Sequence, residues 1–64
     1  MKLSEWRKSA DLTIVQLAAA VGVSDMSIGR YERGEHIPQR EIMARIVKIT
    51  DGAVRSTDFY EEAF

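Results

Sequence analysis

Residues 13–34, TIVQLAAAVGVSDMSIGRYERG, constrain this chain more than any other stretch. They read as two short helices joined by a tight turn. Thr13 offers a hydroxyl to an orphan backbone N–H, and Gln16, three residues on, completes a capping box. Leu12 and Leu17 stand where a hydrophobic staple would cross that cap. Leu17 and Val21 are four residues apart and share a face, with Ala18 small enough to let a second helix pass close by. Gly22 supplies the left-handed conformation that ends a helix without a Cβ penalty. Val23 turns inward, Ser24 caps the next helix, Ile28 and Tyr31 form its buried face, and Gly34 ends it. Apolar residues at 17, 21, 23, 28 and 31, with Ala at 18 and Gly at 22, answer the steric demands of a helix-turn-helix corner. The alternative is an ordinary helical hairpin in a small bundle.

Size and composition bound what surrounds that corner. Sixty-four residues predict one domain spanning 1–64, too small to hold a separate sensing or catalytic unit. So small a core gains from dimerisation or from very regular helix packing. There is no cysteine, which rules out a disulfide framework and thiolate metal sites. The opening MKLSEWRKSA is charged throughout, so no signal peptide is expected, and no apolar run approaches the ~20 residues that span a bilayer. A soluble cytoplasmic protein is the expectation. No nucleophile–base pair, phosphate loop or metal cluster is visible, so neither an enzyme nor a cofactor is expected.

The net charge of −1 is not that of a strongly basic nucleic-acid binder. Its distribution says more. Residues 1–50 hold eight basic and six acidic groups, whereas residues 51–64 hold Arg55 against Asp51, Asp58, Glu61 and Glu62.

Flanking the corner, Ser4 is expected to cap a first helix through about Ala10, with Leu3 and Trp6 inward and Arg7 a turn above Leu3. A fourth helix is expected from about Pro38 to Thr50, its apolar stripe formed by Ile42, Ile46 and Ile49 and widened by Met43 and Val47. Gly52 is placed to close it. Ser56, Thr57 and Asp58 signal the start of a last short helix over about 57–63. The expectation is an all-α bundle of five short helices.

With these residues in place, the chain resembles the Cro/CI-type, XRE-like helix-turn-helix regulators, including small phage Cro-like repressors. The resemblance covers about residues 3–60. It rests on Leu3, Trp6-Arg7, Leu12-Thr13, Leu17-Ala18, Val21-Gly22-Val23-Ser24, Ile28, Tyr31-Glu32-Arg33-Gly34 and Ile37-Pro38. Tyr-Glu-Arg-Gly followed by Ile-Pro is particularly specific. The resemblance implies a lambda-repressor-like DNA-binding fold in a bacterial host, and a dimer that occupies a pseudo-palindromic operator in double-stranded DNA. No membrane and no small-molecule effector is implied. It also implies a partly buried salt bridge between Arg7 and Glu32, for which a planar guanidinium gripping a carboxylate makes an independent physical case.

In that fold the second helix of the motif enters the major groove. Base contacts then fall to Ser24, Asp25, Met26, Ser27 and Arg30, with Gly29 also on the outward side. Arg30 suits guanine, Asp25 can accept from cytosine, and Met26 suits a thymine methyl. Phosphate contacts fall to the helix start at Thr13 and to Arg33, His36, Gln39 and Arg40. His36 has no second His, Cys or well-spaced carboxylate around it, which argues against a metal site. Family members usually carry glutamine after the residue matching Thr13; Ile14 stands there and removes one phosphate anchor.

A dimer surface is expected from Val54, Phe59, Tyr60 and Phe64, with completion of the core as their other use. The second functional reading is a protein-interaction module on the same fold, an antitoxin-like partner with weak or no DNA binding. Its motives are an exposed Ile14/Val15 pair, the acidic aromatic tail and the low charge.

Overall fold

A computed structural model describes residues 1–59. They form four α-helices, α1 (Leu3–Ser9), α2 (Ile14–Val21), α3 (Asp25–Arg33) and α4 (Arg40–Ile49), followed by a 3₁₀ turn at Ser56–Phe59. No strand occurs among the described residues. The five-helix expectation is therefore one α-helix too many: the last element is a single turn, and the rest of the expected helix over 57–63 lies outside the described residues.

The corner forms as its chemistry demands. Thr13 Oγ1 accepts the Gln16 N–H at 3.1 Å while Gln16 Oε1 accepts the Thr13 N–H at 2.9 Å, closing the capping box. Gly22 adopts φ 86°, a left-handed value that lets the chain leave α2 and start α3 three residues later. Ser24 Oγ accepts the Ser27 N–H at 3.2 Å and caps α3.

Elsewhere the helix ends differ from expectation. The first helix starts at Leu3, two residues early, because Glu5 Oε1 accepts the Lys2 backbone N–H at 3.0 Å and makes Lys2, not Ser4, the N-cap. The fourth starts at Arg40 with Gln39 as its extended N-cap, so buried Pro38 lies just outside the helix. Two helices close on aspartates where glycine is the usual residue. Asp11 has φ 59°, with its own N–H donating to Lys8 and the Leu12 N–H to Arg7. Asp51 has φ 54°, with its N–H donating to Lys48 and the Gly52 N–H to Val47. Both are Schellman closures. Aspartate tolerates the left-handed region better than most residues. Gly52 therefore follows the closing residue instead of being it.

Leu3, Leu17, Ala18, Val21, Ile28, Ile46 and Val54 form the buried core, with Trp6, Ile14, Val23, Tyr31, Ile42, Ile49 and Phe59 packed against it. Each full-sized member contributes about 1.5–3 kcal/mol by leaving water. Helix α2 sits at the centre, packing on both α3 and α4, while α1 braces α3. The chain after α4 is tied back through buried Thr50. Its hydroxyl donates to the Ile46 carbonyl at 2.9 Å and accepts the Val54 N–H at 3.2 Å, which seats Val54 in the core. No described helix is long and apolar enough to cross a membrane.

Candidate nucleic-acid interface

The fold holds α3 from behind and leaves its first turn open. Behind it, Arg7 grips Glu32 bidentately, Nε to Oε2 at 2.7 Å and Nη2 to Oε1 at 3.2 Å. Arg7 Nη1 also donates to the Leu12 carbonyl at 3.0 Å, so one guanidinium ties α1, the α1–α2 link and α3 together. The hydrogen bond to Glu32, opposed by desolvation and reinforced by its charge, raises the Arg7 pKa further above its ordinary value.

In front, Ser24, Asp25 and Met26 are exposed, and Ser27 and Arg30 are half-buried. Their roles differ. The Ser24 and Ser27 hydroxyls lie 3.0 Å apart and bond each other, and Asp25 Oδ1 accepts the Met26 N–H at 2.9 Å. The serines and the aspartate thus spend hydrogen bonds on shaping the helix start. The Arg30 guanidinium makes no hydrogen bond or ion pair with a described residue, although its backbone carbonyl accepts the Glu35 N–H at 2.9 Å.

The candidate phosphate contacts lie on three segments: Thr13 at the α2 start, Arg33 and His36 at the end of α3 and beyond, and Gln39 and Arg40 at the α4 start. All five are exposed. Thr13 caps the Gln16 N–H, while the amides of Ile14 and Val15 have no acceptor within the helix. Arg33 is already engaged, its Nε donating to Glu35 Oε2 at 2.6 Å. The Arg33 hydrogen bond is the largest influence holding the Glu35 carboxyl below its ordinary pKa. Desolvation, next in size, opposes it, and electrostatic attraction to Arg33 and Arg30 adds to it. Of the candidate phosphate contacts, Arg33 is therefore the one already bound to a carboxylate.

Other placements depart from the sequence reading. Gly29 is not an outward residue: it is buried, with Arg33 Nη1 only 3.0 Å from where a Cβ would stand. Ile14 is half-buried against the core, so the expected exposed pair reduces to Val15. Val54 is fully buried and has no surface to give a dimer, because Thr50 draws its backbone inward. Phe59 is half-buried; Tyr60 and Phe64 lie outside the described residues. A cavity of about 300 Å³ lies between the start of α1, the end of α3 and the 3₁₀ turn, not at the first turn of α3.

Sequence reasoning missed Glu35 and Arg45. Arg45 Nη1 donates to the Val21 carbonyl at 3.3 Å, helping to close α2 beside Gly22. Its place on the polar face of α4 concealed this, since nothing local shows which neighbouring helix end it meets. The signal for Glu35 is the left-handed Gly34, φ 76°, which reverses the chain so that a residue two positions on meets Arg33.

A helix-turn-helix family model matches residues 3–53. The chain belongs to the XRE-type helix-turn-helix family, consistent with a Cro/CI-type regulator, and this makes it a DNA-binding transcriptional regulator of double-stranded DNA. The family is regulatory and not enzymatic. No significant match was found among curated proteins or solved structures.

Proposed function

We propose that this protein is a Cro-like repressor that binds a pseudo-palindromic operator as a homodimer in a bacterial cytoplasm and blocks transcription by occupancy. The supporting observation is the front of α3: a capped, exposed first turn on a helix braced by the Arg7–Glu32 pair. In this reading Ser24, Asp25, Met26, Ser27 and Arg30 face base edges, and Thr13, Arg33, His36, Gln39 and Arg40 meet phosphates. A lone module of this size covers too little DNA for tight binding, which supports a dimer with reading helices ~34 Å apart. Phe59 is the described residue left to that dimer surface. No small-molecule effector enters the mechanism.

The test is selection from random duplex DNA by the purified protein at two salt concentrations. Enrichment of a palindrome that weakens with salt is the expected result. A folded protein that enriches nothing at low salt would overturn the reading. It would favour the antitoxin-like alternative, whose motives are then exposed Val15, the acidic aromatic tail and the low charge.

A further inference from the structure

We propose that Gly29, Arg33 and Glu35 form a latch on α3. The free protein stores the Arg33 guanidinium over Gly29 with Glu35 as its catch, and DNA phosphate opens the latch by taking the place of Glu35. The inference rests on the DNA-regulator reading above and adds how that surface is held before DNA arrives.

Gly29 stands in the middle of α3, where glycine is an unfavourable choice. Its backbone does not ask for one, since it lacks the positive φ that Gly22 and Gly34 adopt. What the bare Cα provides is a seat. Leaving aside its chain neighbours and the helix backbone, the three heavy atoms nearest to where a Cβ would stand all belong to the Arg33 guanidinium: Nη1 at 3.0 Å, Cζ at 3.7 Å and Nη2 at 3.8 Å. Arg33 lies one turn further on, and helical side chains lean back over the preceding turn, which brings its head group onto that spot. Beyond the helix end, Gly34 reverses the chain with φ 76° and brings Glu35 within reach, so that Arg33 Nε donates to Glu35 Oε2 at 2.6 Å. Seat and catch thus hold one side chain from two different segments. The Arg33 and Glu35 side chains are 59% and 53% exposed, so an incoming phosphate can reach the contact. The same exposure keeps the catch weak enough to open.

The experiment has one arm without DNA and one with it. In the free full-length protein, solvent exchange of the Arg33 Nε–H is followed by NMR in the wild type, Gly29→Gln and Glu35→Gln. Glutamine is a better helix former than glycine, so Gly29→Gln keeps α3 while its side chain fills the seat. Faster exchange is expected in both variants, and Gly29→Ala, a smaller intrusion, should move the same way by less. In the second arm, affinity for random-sequence duplex is measured at low salt. Gly29→Gln and Glu35→Gln are each expected to bind about two- to threefold tighter than wild type, the range of an exposed ion pair. The double variant should bind no tighter than either alone, because both changes free the same side chain. Both gains should vanish in an Arg33→Ala background. Three results would overturn the latch: unchanged Arg33 exchange in Gly29→Gln, gains that add in the double variant, or a gain that survives without Arg33. Each of these leaves DNA binding intact. Absence of binding to every duplex is a separate result, because it removes the regulator reading and with it the phosphate that opens the latch.

Discussion

Two arginine–glutamate pairs bracket α3. Behind the helix, the Arg7 and Glu32 side chains are 14% and 10% exposed and meet through two hydrogen bonds. At its outer end, Arg33 and Glu35 are both more than half exposed and meet through one. The outer contact is marginally the shorter, 2.6 Å against 2.7 Å, so distance does not separate their roles. Burial does. The inner pair has lost most of its water and must stay paired, whereas the outer pair can exchange its partner for solvent or for another anion. The back of α3 is thus built for stability and the front for exchange.

Breaking the inner pair gives the largest effect. Glu32→Ala strands a mostly buried guanidinium with only the Leu12 carbonyl as partner, and is expected to cost about 3 kcal/mol. Urea unfolding should show a lower midpoint at an unchanged slope. A cost under about 1 kcal/mol would erase the distinction between the two pairs.

On the front, Arg30→Ala is expected to leave the unfolding midpoint in place yet weaken binding to the selected duplex by about 2 kcal/mol. Discrimination should relax at one guanine.

Thr50→Val extends the comparison to a buried contact without charge. It leaves the Val54 N–H without its acceptor and is expected to destabilise by about 1–2 kcal/mol, less than Glu32→Ala. Thermal unfolding of the two variants side by side checks that order.

The smallest expected effect is that of Glu35→Gln. Stability should hardly move, while release of Arg33 raises DNA affinity about two- to threefold at low salt and steepens the salt dependence by about one ion. The pH dependence follows from the same contact. The folded-state pKa of Glu35 lies below its unfolded value, so its small contribution is fully present above the ordinary carboxylate range. It is lost as pH falls through the lowered value, and the Gln variant should lack that acid-side loss.

The same contrast governs what the sequence revealed. The corner was legible because each position answers a local demand: a cap at Thr13 and at Ser24, a left-handed residue at Gly22, and apolar residues at helical spacing. Arg7 with Glu32 was legible through the family resemblance, and bidentate chemistry made sense of it. Relations set by chain reversal or by packing between distant segments were not. Asp11 and Asp51 close helices in a role sought from glycine. Thr50 reaches forward to seat Val54, turning an expected dimer residue into core. Arg33 folds over Gly29 onto Glu35, so a residue named for phosphate contact carries an internal partner that spacing alone did not reveal.

Side-chain NMR of the arginine Nε–H groups during titration with the selected duplex tests the division between back and front most directly. Arg30 and Arg33 are expected to shift as DNA binds, Arg33 by exchanging Glu35 for phosphate, while Arg7 stays fixed on Glu32. A shift at Arg7 with Arg30 and Arg33 unmoved would contradict the account.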